Sequence, residues 1–238
     1  MNLTLVRFAP LCLAIGIGLT GCLDTRPVPL YRLDNGDPQV PDQLGAAVLV
    51  GPVTLADYLQ RDAIVQRQAD GSLSADPADG RWAGSLSDDV TQLLLRQLAW
   101  RLDSQRLSAA PASEGFDADL QVELTVTRLD SGPQHPAVLE AQWRLLDEAG
   151  KQQGMRMIRL QERHDGTTAG QVQAQSLLLQ RLSEELALAI QPKLAAREEA
   201  QKRALARRRA AAQPKPESNT EARPALKPLR TDLEVYRF

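Results

Sequence analysis

Two kinds of apolar periodicity, in separate stretches of one chain, predict an α+β (mixed α/β) fold: a mostly antiparallel sheet covered by two main helices, then an extended C-terminal basic helix. Leu120, Val122, Leu124 and Val126 alternate with Gln121, Glu123, Thr125 and Thr127, and Leu139, Ala141, Trp143 and Leu145 alternate with Glu140, Gln142 and Arg144. That period of two marks strands with one buried and one polar face. Val90, Leu94, Leu98 and Arg101 recur at helical spacing, broadened by Leu93, Leu95 and Leu102, and Val172, Gln175, Leu179, Leu182, Leu186 and Ile190 form a second helical stripe. From Lys193 to Ala212 the chain is mostly Ala, Arg, Lys and Glu. Those are strong helix formers without an apolar stripe, so the predicted helix has no face to bury.

The chain opens with Arg7 and an apolar run from Phe8 to Leu19, which is too short to cross a bilayer and reads as a removable secretory signal. Leu19-Thr20-Gly21-Cys22 closes it. This pattern resembles the bacterial lipoprotein signal, where a small residue before the cysteine lets a processing enzyme approach and the thiol receives a diacylglycerol. The resemblance implies that Leu19, Thr20 and Gly21 guide processing, that Cys22 is lipidated, and that the membrane is engaged through the anchor. An ordinary signal with a coincidental cysteine is the alternative. Leu23, rather than the usual retention Asp, follows the cysteine, with Asp24 next. By the sorting rule of such lipoproteins this implies the periplasmic face of the outer membrane rather than the inner membrane.

Residues 22–29 form a tether with two prolines, and 30–191 the main domain. Val28 to Leu33 is an extended segment, and Asp34 to Pro41 a loop rich in turn residues. Ala46 to Val53 is a β-rich apolar run, interrupted at Gly51-Pro52, that suggests burial on both faces or a central position in the sheet, with Pro52 near its end, where a missing donor is tolerated. Leu55 to Leu59 suits one helical turn, Ala63 to Arg67 a short strand, and Asp70 to Arg81 a turn-rich connection reaching Trp82. Ser85 and Ser87 are candidate N-caps for the first helix, with Asp88 and Asp89 at the positive end of its dipole. Asp147-Glu148-Ala149-Gly150 is a hairpin turn and Met155 to Glu162 the returning strand. The second helix starts near Thr168, and Pro192 is expected to kink or end it. Residues 192–212 then form the exposed basic helix, and 213–238, Pro-rich and polar through Lys227, a disordered tail.

Composition excludes several functions. Net charge is −2 and the sequence pI about 5.8, so no overall basic field points to nucleic acid. Three each of Trp, Tyr and Phe are too few for base-stacking platforms. There are two cysteines; Cys12 leaves with the signal and Cys22 is consumed by lipid, which leaves no thiol for a disulfide, a metal or a nucleophile. His135, between Gly132-Pro133 and Pro136, reads as an exposed loop tip, and His164 as solvated; neither has metal-binding spacing. There is no nucleophile elbow, no SxxK pair and no Gly-rich phosphate loop. Asp88-Asp89 and Glu184-Glu185 need only the logic of helix ends and solvated faces. The reading is therefore no catalytic residue, no metal, no cofactor and no enzyme.

One segment carries more. Val50-Gly51-Pro52-Val53, Tyr58-Leu59-Gln60-Arg61, Ile64-Val65-Gln66-Arg67 and Arg81-Trp82-Ala83-Gly84-Ser85-Leu86 follow in order. They resemble the signature of PqiC/YmbA-type auxiliary lipoproteins of transport systems with MCE (mammalian cell entry) domains. Tyr31-Arg32-Leu33 and Ala141-Gln142-Trp143-Arg144-Leu145 fit as well, while Ala56 stands for the family's proline and Gly84-Ser85 for its Glu-Pro. The likeness spans about Leu30 to Ile190 and leaves the basic helix unexplained. It implies a non-enzymatic outer-membrane subunit that docks a periplasm-spanning tunnel, with a PqiB-like MCE-domain protein and its membrane permease component as partners. An envelope adaptor tying the outer membrane to peptidoglycan or another component is the alternative. Tyr58, Leu59, Arg61, Arg67 and Trp82 are the candidate interface, to a partner or to another copy in a homo-oligomer, because amphipathic aromatics and arginines are favoured at interfaces. Equally, Tyr58 and Trp82 can pack over a sheet edge while the arginines pair with Asp57 and Asp62.

Overall fold

The computed structural model describes residues 27–212. The signal segment, Cys22, the start of the tether and the C-terminal tail lie outside the described residues.

The sheet is built around β7 (Leu120–Gly132), which pairs antiparallel with β8 (His135–Asp147); β8 in turn pairs antiparallel with β9 (Gln152–Glu162). On the other edge of β7 lies β2 (Val48–Leu55), parallel to it, and beyond β2 the short parallel β6 (Leu107–Ala109). Nearer the end of β7, β3 (Gln66–Arg67) pairs at Ser131 and forms a hairpin with β4 (Leu73–Ser74). A separate parallel pair joins β1 (Leu30–Tyr31) to β5 (Arg81–Trp82). The sheet is thus mixed, with an antiparallel β7–β8–β9 meander supplying most of its ladder.

The alternation has the phase expected of it. Leu120, Val122, Leu124 and Val126 on β7, and Leu139, Ala141, Trp143 and Leu145 on β8, are all buried in one apolar cluster. Helix α1 (Leu86–Arg101) adds Val90, Leu93, Leu94 and Leu98, and helix α2 (Thr168–Ala212) adds Leu178, Leu179, Leu182, Leu186 and Ile190. The polar phase of β8 and β9 carries cross-strand charge, as in Arg159 Nε donating to Glu140 at 2.9 Å. On the helix side, Arg156 of β9 meets Glu185 of α2 at 2.7 Å and Arg181 of α2 meets Glu162 at 2.6 Å. The loop after β1 bridges both helices: Gln97 of α1 donates to Asn35 O at 2.6 Å, while Ser176 and Gln180 of α2 hold the backbone of Asp34.

Ser85 is the N-cap of α1, its hydroxyl accepting the Asp88 N–H at 3.3 Å. Asp89, expected on the solvated turn, is instead buried and pairs with Arg32 at 2.8 Å. Pro52 sits within β2 rather than near its end; register against β7 shifts between Val50 and Val53, and that irregularity absorbs the missing donor. Helix α2 does not end at Pro192, which lies inside it. Proline removes one backbone bond, to the carbonyl four residues earlier. Here that residue is Leu188, exposed like Pro192 itself, and the alanine-rich sequence beyond is strongly helix-forming.

The chain divides into two compact units, one through Ala195 and one from Ala196. In the second, residues 201–212 are exposed helix. Among the described residues no helix is long and apolar enough to cross a membrane, and no cluster of His, Cys, Asp or Glu has the makings of a metal site.

Candidate functional site

The segment from Val50 to Leu86 supplies the five candidate interface residues, and the fold disperses them into three environments. Leu59, in a 3-10 turn over Asp57–Leu59, and Trp82, on β5, are buried in the apolar core. Tyr58 and Arg67 converge on Asp130 of β7, which is fully buried. Arg61 is exposed.

Asp130 is the centre of a closed polar knot. Arg67 donates to it twice, Nε to Oδ1 at 3.0 Å and Nη2 to Oδ2 at 2.8 Å. Arg128 Nε donates to Oδ1 at 3.1 Å and the Tyr58 hydroxyl to Oδ2 at 3.0 Å. An unpaired buried carboxylate is very costly, whereas a bidentate arginine with further donors satisfies its lone pairs. Burial pushes the Asp130 carboxyl up, but the hydrogen bonds from Arg67, Arg128 and Tyr58 outweigh it and hold it below the ordinary carboxylate range. Burial, then the charge of Asp130, pushes the Tyr58 phenol up to about 12. Arg67 Nη1 also donates to Gly71 O at 2.8 Å, so one side chain fastens the β3–β4 hairpin to β7. Gly132 permits the close approach: a Cβ there would meet Arg67 O at 1.8 Å.

The arginine partners expected from sequence were Asp57 and Asp62; for Arg67 the partner is Asp130. Neither Asp130 nor Arg128 was singled out. The available signal was the end of alternation on β7, where Leu129, Asp130, Ser131 and Gly132 are all buried after a register shift between Val126 and Arg128. Ser131 belongs to a second buried polar set, donating to Gln171 Oε1 at 3.0 Å and accepting from Gln175 Nε2 at 3.1 Å.

The histidines are tied down rather than solvated. β8 begins at His135, which turns the expected loop tip into strand, and its Nε2 lies 3.0 Å from Gln68 O. Gly166 N–H donates to His164 Nδ1 at 3.0 Å, which requires the proton on Nε2; that nitrogen donates to His135 O at 2.9 Å. Neither ring meets a nucleophile in these contacts.

Arg61 borders a cleft of about 420 Å³ between the end of β2, the 3-10 turn and the start of α1. Val53, Thr54, Gln60, Ser85 and Ser87 share its walls. Ser87 Oγ donates to Val53 O at 3.3 Å and closes one side. Among the described residues the Arg61 guanidinium has no ion-pair or hydrogen-bond partner, so its five donors are available to a ligand or partner.

Comparison with known proteins meets this geometry. No curated protein sequence matches the chain. Two crystal structures share the fold: one of a protein described only as uncharacterized, and one of a Xanthomonas campestris protein of the DUF330 family. Both are 20% identical over 69% of this chain; the first aligns over 99% of its own length with a TM-score of 0.56, the second over 98% with 0.54. The sequence model described as "ABC-type transport auxiliary lipoprotein component" matches residues 31–187, more than half of the chain and all of the Val50–Leu86 segment. The chain belongs to the family of ABC-type transport auxiliary lipoprotein components.

Proposed function

We propose that this protein is a non-enzymatic, lipid-anchored subunit of an MCE-type intermembrane lipid transport system, held at the periplasmic face of the outer membrane through Cys22. The observation that carries the reading is the family match over residues 31–187, with Leu19-Thr20-Gly21-Cys22 a few residues upstream. One acyl chain binds a membrane only marginally, each buried methylene adding about 0.8 kcal/mol, so a diacylated cysteine anchors stably. The subunit works by binding and positioning. Its docking surface centres on Arg61 and the cleft beside it, while the Asp130 knot holds the neighbouring hairpin rigid. A PqiB-like MCE-domain protein and its permease component are the partners, and a second copy of the chain is the other candidate for the same surface.

Recovery of the lipidated protein from solubilised envelopes, with mass spectrometry of what accompanies it, tests this. Co-purification of an MCE-domain protein and a permease supports the reading. Recovery of peptidoglycan-bound components without either would replace it with the envelope adaptor. Cys22→Ala should release the protein on osmotic shock, and its retention in a carbonate-washed membrane pellet would remove the anchor.

A further inference from the structure

The stretch of α2 from Ala196 to Ala212 lies outside the residues matched by the family, and its charges are sorted by side. At about 100° per residue, Arg203, Arg207 and Arg208 fall with Ala200 and Ala204 in one arc of about 140°. Arg197 shares that arc, and no acid does. Glu198, Glu199, Lys202 and Arg209 occupy the other side, two acids against two bases, so the excess positive charge of the segment lies on one side. The contacts agree: Lys202 Nζ is 2.7 Å from Glu198 Oε1 and 3.6 Å from Glu199 Oε1. Its ammonium holds the Glu198 carboxyl below its ordinary range. The acids are thus answered on their own side. Arg203, Arg207 and Arg208 are exposed and have no side-chain partner among the described residues.

We infer that this arginine arc binds the anionic phospholipid surface of a membrane. Guanidinium groups match phosphate oxygens with paired N–H donors. Alanines between the arginines let the helix approach a plane closely, and the arc holds no large apolar side chain that would insert. A broad arc of charge suits a flat anionic surface rather than a pocket. Family membership puts such a surface at hand, because the family is one of lipoproteins. The inference rests on that membership and not on the identity of any transport partner.

The test uses an unlipidated chain from Leu23 to Phe238, which keeps every described residue, with sedimentation against phosphatidylglycerol-containing vesicles, pure phosphatidylcholine vesicles and peptidoglycan sacculi. The chain should sediment with the phosphatidylglycerol vesicles alone and be released by salt, since the attraction fades beyond a Debye length of about 8 Å at physiological ionic strength. Arg207→Gln should weaken that binding roughly fivefold, and Arg203→Gln with Arg207→Gln and Arg208→Gln roughly a hundredfold. Lys202→Gln removes the same charge from the opposite side and should cost less than Arg207→Gln. Equal losses for those two would show that net charge matters and the arc does not, which overturns the inference. Binding to sacculi in place of phosphatidylglycerol vesicles, or a triple variant that still binds them as the parent does, would also overturn it.

Discussion

The Asp130 knot and the Arg61 cleft each take an arginine from the Val50–Leu86 stretch, yet they use it in opposite ways. Arg67 spends its donors inside the protein, on Asp130 and Gly71 O, and its side chain is 24% exposed. Arg61, six residues earlier, spends none among the described residues and stands in solvent beside a cleft. A satisfied buried arginine specifies position, because removing one partner strands the other's charge. An unsatisfied exposed arginine adds little to folding and keeps its donors for a partner. Two residues of the same type in the same motif therefore belong to different links of the chain from sequence to function. Arg67 fastens a hairpin, and Arg61 belongs to the proposed docking surface.

The largest effect should come from Asp130→Ala, which strips Arg67, Arg128 and Tyr58 of their shared carboxylate acceptor. Breaking a buried pair costs about 3–5 kcal/mol, and because both arginines are partly solvated we expect the lower end, read as a fall in urea midpoint at constant slope. A midpoint shift no larger than that of a surface substitution would dissolve the distinction between knot and cleft.

Arg67→Met keeps the bulk of the side chain but leaves Asp130 with only Arg128 and Tyr58, at a cost of about 2 kcal/mol near neutral pH. The pH dependence sharpens the test. The folded Asp130 carboxyl sits below its ordinary value. Its stabilisation is therefore complete above the unfolded carboxylate pKa of about 3.9 and is lost as pH falls through the folded value. In Arg67→Met the carboxyl rises toward its ordinary value, so urea stability should decline less steeply below about pH 4 than in the parent.

Tyr58→Phe should cost about 1–2 kcal/mol, one hydrogen bond to a charged acceptor among several. Its diagnostic lies at alkaline pH. A phenol raised to about 12 in the folded state against 10.0 unfolded stays protonated while the unfolded chain ionises. Its contribution is full below pH 10 and falls away as pH rises toward 12. The phenylalanine variant should lack that component of the alkaline decline.

Arg61→Ala should be the mildest in stability, within about 0.5 kcal/mol. Partner recovery should nonetheless fall more than about tenfold, as for truncation at a binding hot spot. Normal melting with unchanged partner recovery and oligomer size would show that the cleft is not the docking surface.

The elements that were legible in the sequence are those where a repeated local pattern meets a single buried side. β7 and β8 follow from a period of two, and the paired burial of Leu124 and Trp143 across their ladder confirms the phase. The α1 cap at Ser85 and the leucine stripe of α2 follow from local chemistry in the same way. β4 and β6, two and three residues long, are too short to show a period, and only pairing with β3 and β2 makes them strands. His135 illustrates the converse: flanking prolines suggested a turn, but its pairing with Gly132 extends the ladder to that point. The site was half legible. The family-like segment marked Tyr58, Leu59, Arg61, Arg67 and Trp82 as interface candidates, because it mixes amphipathic aromatics and arginines of the kind favoured at interfaces. Their division into core, knot and cleft depends on Asp130, 63 residues beyond Arg67, being brought against it by parallel pairing of β3 with β7. Periodicity and residue chemistry are local properties that a sequence states outright. Which charge is buried, and by which partner, depends on chain segments that meet only after the sheet has assembled, so the tertiary structure alone decided it.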